Sequence, residues 1–269
     1  MIAVRSPERS RLAVLGSPIA HSKSPLLHAA AYRVLGLDWS YDAIEVDEAS
    51  IVPFFDALDD GWRGLSLTMP LKRAVLPLLS SVDPVARLTG GANTVLLAGS
   101  ERRGFNTDVY GVWAALRESG HENFDRVCIV GGGATAASVL VAVDQLGAEE
   151  VSLLVRNPVN AEPIVMLGEQ LGLEIEVRPL GGAVESDVVV STLPGGTVHE
   201  TTFDDSGLLF DVAYDPWPSA LAAGWRGPIV SGLDMLIHQA HAQVATFVTG
   251  SPAGELPPEV LTAMRASVN

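Results

Sequence analysis

The chain has 269 residues, enough for one large or two modest domains, and 48% of it is hydrophobic, an ordinary globular profile. Its formal net charge of −15 disfavours nucleic acid and anionic membrane surfaces, since both are bound by basic faces. A lone cysteine, Cys128, excludes an internal disulfide and sits in an apolar run that suits a small buried thiol. No stretch reaches membrane-spanning length, and the first eleven residues lack the apolar core of a secretory leader, so the expected location is the cytoplasm.

Alternating short apolar runs and helical patterns predict an α/β protein. Residues 11–16 read as a strand. A helix follows, with Ser24 as N-cap, Pro25 in the first turn and Gly36 past its end. Residues 39–46 alternate as a strand, 51–58 as a helix and 64–68 as a strand. A helix is expected over 70–79, a short strand over 94–98 and an amphipathic helix over 107–119, closed by Gly120. The second half opens with a strand at 126–130, running into Gly131-Gly132-Gly133 and a helix through Leu146. Strands are then expected at 151–155, 173–177, 188–192, 208–212 and 228–230, forming a parallel sheet. Helical patterns at 233–248 and 258–267 close the chain, with no internal repeat.

Residues 131–136 (GGGATA) fit G-x-G-x-x-[GA] between a strand and a helix. The first glycine makes a tight turn, the next lets backbone N–H groups approach a pyrophosphate at the helix N-terminus, and Ala136 permits close helix packing. The pattern alone would also suit a glycine-rich turn of another α/β fold. In this context it predicts a dinucleotide site formed by Gly131, Gly132, Gly133, Ala134 and Thr135, with Thr192 at the end of the fourth strand. The second strand ends Leu154-Val155-Arg156-Asn157, without the carboxylate that holds an NAD ribose. Arg156 could be a solvated surface residue, but it suits a 2′-phosphate, and the expected cofactor is NADP.

Of 17 basic residues only two are lysines, Lys23 and Lys72. Arginine is effectively never deprotonated, whereas a lysine can shuttle a proton, which singles out Lys72. It lies in Thr68-Met69-Pro70-Leu71-Lys72. Together with the run from Gly16 to Pro25 (GSPIAHSKSP), Ala92-Asn93-Thr94, Asn106-Thr107-Asp108-Val109-Tyr110-Gly111, Asp211–Pro216 and Met235–Ala240, this segment resembles the ordered motifs of the shikimate dehydrogenases. The resemblance spans most of the chain. It implies an N-terminal α/β substrate domain and a Rossmann-like NADP-binding domain, with a C-terminal helix returning to the substrate domain.

By the same resemblance Lys72 and Asp108 are the proton-transfer pair. Ser22 and Ser24 hold a substrate carboxylate, Thr68, Asn93 and Gln239 read ring hydroxyls, and Tyr214 reaches the carboxylate. Taken singly, Lys72 could be a surface cation, Asp108 a helix-start residue and Ser24 only a cap. The domains are expected at 1–110 with 233–269, and at 111–232. His238 and His241 are one helical turn apart, yet no metal motif accompanies them, so an ordinary helix face is expected and no metal. Three segments depart from the family pattern. Ala29 and Ser66 stand where asparagine is usual, and Val155-Arg156-Asn157 replaces N-R-T, leaving NADP preference to rest on Arg156.

The expected activity is NADPH-dependent, reversible reduction of 3-dehydroshikimate to shikimate in chorismate and aromatic amino-acid biosynthesis. A quinate/shikimate enzyme, an aminoshikimate-type paralogue and a non-catalytic cofactor-binding regulator are the alternatives. Monomer and homodimer are not distinguished by sequence.

Overall fold

The structure is a computed structural model that describes residues 10–194, 196–197 and 200–268. Residues 1–9, where the sequence shows no apolar leader core, lie outside the described residues. Two compact units are present. One runs to Thr107 and resumes at Gln239, and the other is Asp108–His238. The sequence reading sets these boundaries at 110/111 and 232/233, a few residues away.

The first unit contains β1 (Ser10–Gly16), α1 (Ser24–Leu35), β2 (Trp39–Glu45), α2 (Ile51–Asp56), β3 (Trp62–Leu67), α3 (Leu71–Ala74), β4 (Ser81–Val82), α4 (Pro84–Thr89), β5 (Thr94–Ala98) and β6 (Glu101–Phe105). Its six-stranded sheet has the order β2-β1-β3-β5-β6-β4 and is mixed, because β5 runs antiparallel to β3 and to β6. Leu15, Phe55, Leu65, Leu71, Val75 and Val95 form part of its core.

Three local differences from the sequence reading have plain causes. The helix expected over 70–79 is only α3 followed by a 3₁₀ turn at Leu76–Leu78, because Pro77 lacks an N–H and clashes with a helical carbonyl four residues back. Helix α4 was not foreseen, although Asp83 accepts from Ala86 N at 2.7 Å, Pro84 opens the first turn and Gly90 closes it at φ 65°. Strand β6 was also missed. Gly99-Ser100 joins it to β5 as a two-residue hairpin, with positive φ at the first loop position.

The second unit contains α5 (Asp108–Glu118), β7 (Arg126–Val130), α6 (Ala134–Gln145), β8 (Glu150–Val155), α7 (Glu162–Leu171), β9 (Ile175–Pro179), β10 (Ala183–Val184), β11 (Val188–Ser191), β12 (Thr202–Phe203), β13 (Leu208–Asp211), α8 (Ala220–Gly224) and β14 (Ile229–Ser231). Helix α9 (Gly232–Thr249) starts in this unit and ends in the first, where α10 (Pro258–Ala266) follows. The main sheet, order β14-β13-β11-β7-β8-β9, is entirely parallel. Counted within the unit this is 3-2-1-4-5-6, the doubly wound dinucleotide-binding order. Its central strands β7, β11 and β13 read as near-continuous apolar runs because both faces are covered, whereas the edge strand β9 alternates with charged residues.

Helix α7 was not expected. It ends at Gly172 (φ 78°), and Leu173 N bonds back to Gly168 O at 2.8 Å. That cap consumes Leu173, so the next strand begins at Ile175 rather than 173. Cys128 lies fully buried in β7, where desolvation pushes its thiol up to about 12.

Candidate active site

In the first unit, strand pairing gathers four sequence segments at one sheet edge. Leu15 of β1 lies opposite Leu67 of β3, Ser66 opposite Thr94 of β5, and Thr94 opposite Phe105 of β6. The carboxyl ends of β1, β3 and β6 and the start of β5 therefore share this edge. From it emerge the serine loop, the Thr68–Lys72 segment, Asn93, and Asn106-Thr107 with Asp108 next in the chain.

Backbone bonds then tie the segments together. Ser17 N donates to Met69 O at 3.0 Å and Thr68 N to Leu15 O at 2.9 Å. Gly16 permits this approach, because a Cβ there would press into Thr68 Cγ2 and Met69 O. Ala92 N donates to Lys72 O at 2.8 Å, placing Lys72, half-buried on α3, beside Asn93.

Asn93 is the hub of this edge. Its Nδ2 donates to Thr107 Oγ1 at 3.0 Å and to Gln239 Oε1 at 3.2 Å, while its Oδ1 accepts from Thr107 N at 2.9 Å. Asn106 Nδ2 reaches Thr89 Oγ1 at 2.8 Å, fixing the residue before Thr107. Thr107, absent from the sequence-derived site, thus belongs to its frame. Asp108 opens α5 and is 4% exposed.

The expected cap at Ser24 is not formed. Lys23 is the N-cap residue, Ser24 is the first helical residue, and no side chain caps the helix. Ser24 N instead donates to Ser22 Oγ at 3.3 Å, which sets the two serines side by side. Ala29 is exposed on α1, so its departure from asparagine falls outside the hydrogen-bonded frame.

Ser66, the other departure, is buried within a polar network. Tyr41 O–H donates to Ser66 Oγ at 2.6 Å, and Ser66 Oγ donates to Gln243 Oε1 at 3.0 Å. Gln243 Nε2 donates to Asn93 O at 3.2 Å. His28, fully buried, places Nε2 3.3 Å from Gln243 Oε1 and Nδ1 3.0 Å from Tyr32 Oη, and it stacks on Tyr41 with centroids 3.8 Å apart. Burial lowers its pKa to about 3, against the opposing bond to Gln243. Burial likewise raises the Tyr41 phenol, opposed by its bond to Ser66.

In the second unit, β8, β7 and β11 lie side by side, and their carboxyl ends carry Arg156, the glycine turn and Thr192 respectively. The strand order reverses between β7 and β11, where an open α/β sheet binds its ligand. Gly131 has φ 108°, and its N donates to Leu154 O at 2.8 Å. Thr192 Oγ1 donates to Val130 O at 2.9 Å and fills the space beside Gly131. Gly133 is the N-cap residue of the twelve-residue α6, which Ala134 and Thr135 begin, and a Cβ on Gly133 would meet nothing within 4 Å. Open space at a helix N-terminus suits a pyrophosphate. Arg156 is exposed directly after β8, with no acid at the strand tip.

Tyr214 stands half-buried in the loop after β13, and burial with Asp215 nearby raises its phenol. Buried Asp211 organises this loop. It accepts from Ser219 Oγ and, at 3.1 Å, from Ala213 N, while Ser219 Oγ caps α8 by accepting from Ala222 N at 3.0 Å. His238 pairs with Glu118, Nε2 to Oε2 3.1 Å. Among the described residues no group of three or more His, Cys, Asp or Glu is arranged to hold a metal.

The shikimate dehydrogenase substrate-binding-domain family matches residues 14–95. The shikimate dehydrogenase (NADP(+)) of Oleidesulfovibrio alaskensis is 34% identical over 252 residues, covering 87% of this chain and 88% of that protein. The crystal structure of Mycobacterium tuberculosis shikimate dehydrogenase superposes with a TM-score of 0.81 at 37% identity, covering 96% of this chain and 99% of the other. The Thermus thermophilus shikimate 5-dehydrogenase, in complex with NADP(H) and shikimate, gives 0.80 at 31% identity, covering 96% and 100%.

Proposed function

The chain belongs to the shikimate dehydrogenase family, and on that footing we propose that it catalyses the reversible NADPH-dependent reduction of 3-dehydroshikimate to shikimate. The observation that carries the reading is the convergence on Asn93. Its backbone neighbour Ala92 holds Lys72, its side chain holds Thr107 just before Asp108, and its amide meets Gln239.

Carbonyl reduction builds negative charge on the ring oxygen, which a positioned acid must neutralise; such an acid typically contributes ~10²–10⁴-fold. Lys72 is that acid and Asp108 its carboxylate partner in proton transfer. Ser22 and Ser24 donate hydroxyl hydrogens to the substrate carboxylate, with Tyr214 as a further donor. Thr68, Asn93 and Gln239 read the ring hydroxyls. These assignments come from the family resemblance; donor chemistry supports them all, and the shared sheet edge supports those of Ser22, Ser24, Thr68, Lys72 and Asn93.

The residues of the second unit fit a dinucleotide. Gly131 makes the turn, Gly132 and Gly133 with Ala134 and Thr135 expose N–H groups at the start of α6, and Thr192 braces the turn. Arg156 supplies the cation for a 2′-phosphate. When bound, NADPH supplies the hydride. No helix among the described residues is long and apolar enough to cross a membrane, and we place the enzyme in the cytoplasm.

One assay tests the reading: purified protein with shikimate and with quinate, each against NADP⁺ and NAD⁺. Turnover should be fastest with shikimate and NADP⁺. Preference for quinate, or no turnover with any pair, would overturn it.

A further inference from the structure

Gln243 bridges Asn93 to a buried histidine 215 residues away in sequence, and the atoms fix which way every hydrogen points. The main-chain oxygen of Asn93 can only accept, so the Gln243 atom 3.2 Å from it is the NH₂ group. Gln243 Oε1 therefore faces Ser66 Oγ at 3.0 Å and His28 Nε2 at 3.3 Å. An amide oxygen does not donate, so Nε2 of His28 must carry the proton. Nδ1 is then the acceptor, satisfied by the Tyr32 hydroxyl at 3.0 Å. Ser66 accepts from Tyr41 and is left to donate to Gln243. Both lone pairs of the Gln243 carbonyl are filled.

We propose that His28, protonated on Nε2, is a positioning residue for the substrate site: it locks the Gln243 amide, and Gln243 sets the Asn93–Gln239 pair. The proposal rests on the reading that Asn93 and Gln239 bind substrate. Gln239 lies one turn before Gln243 on α9, so the bond that anchors Gln243 to Asn93 also sets the angular phase of Gln239. The next turn of α9 is seated against β3, with Arg63 Nε donating to Phe247 O at 2.8 Å and Gly64 leaving room for the Phe247 ring. Asn93 O also accepts from Leu67 N at 2.8 Å, so the strand pairing stands without Gln243. Loss of the His28 donor therefore acts on amide orientation rather than on the sheet.

The test compares His28→Phe, which keeps a ring against Tyr41 but has no donor, with His28→Gln, which keeps an amide N–H. Expected for the Phe variant is a rise in KM for shikimate of about tenfold, with the KM for NADP⁺ unchanged and kcat altered less. His28→Gln should recover most of the loss. Asn93→Ala and Gln239→Ala serve as controls. If they leave the KM for shikimate untouched, the substrate reading fails and takes the proposal with it. If they raise it while a folded His28→Phe behaves as wild type, the proposal alone fails. Long-range ¹H–¹⁵N correlation on histidine-labelled wild-type protein tests it without any variant: a proton on Nε2 of His28 supports the proposal, and one on Nδ1 overturns it.

Discussion

The hydroxyl of Thr192 occupies the space that a Cβ on Gly131 would need, so the two strands flanking the switch point interlock at one atom. Thr192 Oγ1 also bonds to Val130 O, one residue before that glycine. Gly131 is further held at φ 108°, a conformation side chains rarely adopt. Gly131→Ala should thus combine backbone strain with a clash. We expect a fall in Tm together with loss of NADPH affinity, read by thermal melts and cofactor titration. Gly133→Ala, with open space beyond the Cβ, should melt like wild type and lose only cofactor affinity. Equal melting losses in both variants would remove the interlock from the explanation.

Lys72→Ala should abolish turnover while leaving the melting temperature and NADPH affinity nearly intact. The loss belongs in kcat, with a smaller change in the KM for shikimate. Lys72→Arg keeps the charge but cannot give up a proton at working pH, so it should be nearly inactive as well. An active arginine variant would show that charge alone suffices there.

Ser22→Ala and Ser24→Ala should each weaken shikimate binding by tenfold or more, from the ~1.5–3 kcal/mol of a hydrogen bond to a charged group. Because Lys23 occupies the N-cap and Ser24 makes no capping bond, Ser24→Ala should cost no helix stability. Titration calorimetry and thermal melts of both variants read the two effects apart. Unchanged shikimate affinity in both would place the carboxylate elsewhere.

Arg156→Ala should raise the KM for NADPH strongly and leave that for NADH almost unchanged. A charge-assisted contact to the 2′-phosphate, at ~1.5–3 kcal/mol, corresponds to roughly ten- to a hundred-fold in preference. Added salt should weaken NADPH binding more than NADH binding, because screening acts on the extra charge. Equal losses for the two cofactors would assign Arg156 to loop support instead.

His28 should make the fold acid-sensitive well above the carboxylate range. Its neighbours Tyr32, Tyr41 and Gln243 are neutral, and its folded pKa of about 3 lies below the ordinary 6.5. Well above pH 6.5 neither state is protonated and the full contribution is present. As pH falls from 6.5 towards 3 the unfolded chain takes up a proton that the native state refuses. Stability should then drop by roughly 1.4 kcal/mol per pH unit. Urea midpoints between about pH 7.5 and 5 check this, and His28→Gln should flatten the dependence. A midpoint in wild type that does not move would contradict it.

Sequence alone exposed the parts of this protein that depend on local order. The glycine turn, the Thr68–Lys72 segment and most strands are read from neighbours within ten residues. Helices α4 and α7 and strand β6 were missed although their signals are equally local. Asp83-Pro84 with Gly90 and Gly99-Ser100 are start, stop and turn marks within elements too short to show an apolar period, whereas α7, between Pro163 and Gly172, carries a clear amphipathic period that was legible in the chain. Ser24 misled in the other direction, since a serine before proline suits a cap whether or not the backbone places it there. The network of His28, Tyr41, Ser66 and Gln243 has no sequence spacing at all. Its members meet only because α1, β2, β3 and α9 pack around one polar interior, and no pattern in the chain foretells which polar side chains will be enclosed.

Helix α9 begins in one unit and ends in the other, so the order of synthesis differs from the order of completion. A ribosome adding about 5–20 residues per second releases all of Asp108–His238 before the first unit has its last pieces. Until the segment from Gln239 onward emerges, the slot beside Gly64 lacks Phe247, α1 lacks α10, and Asn93 lacks both glutamines. The half of the chain made first is therefore the half that matures last. A nascent chain stalled near its end would carry a finished nucleotide-binding unit beside an open, apolar and catalytically mute partner, which is the state a chaperone or a protease would meet.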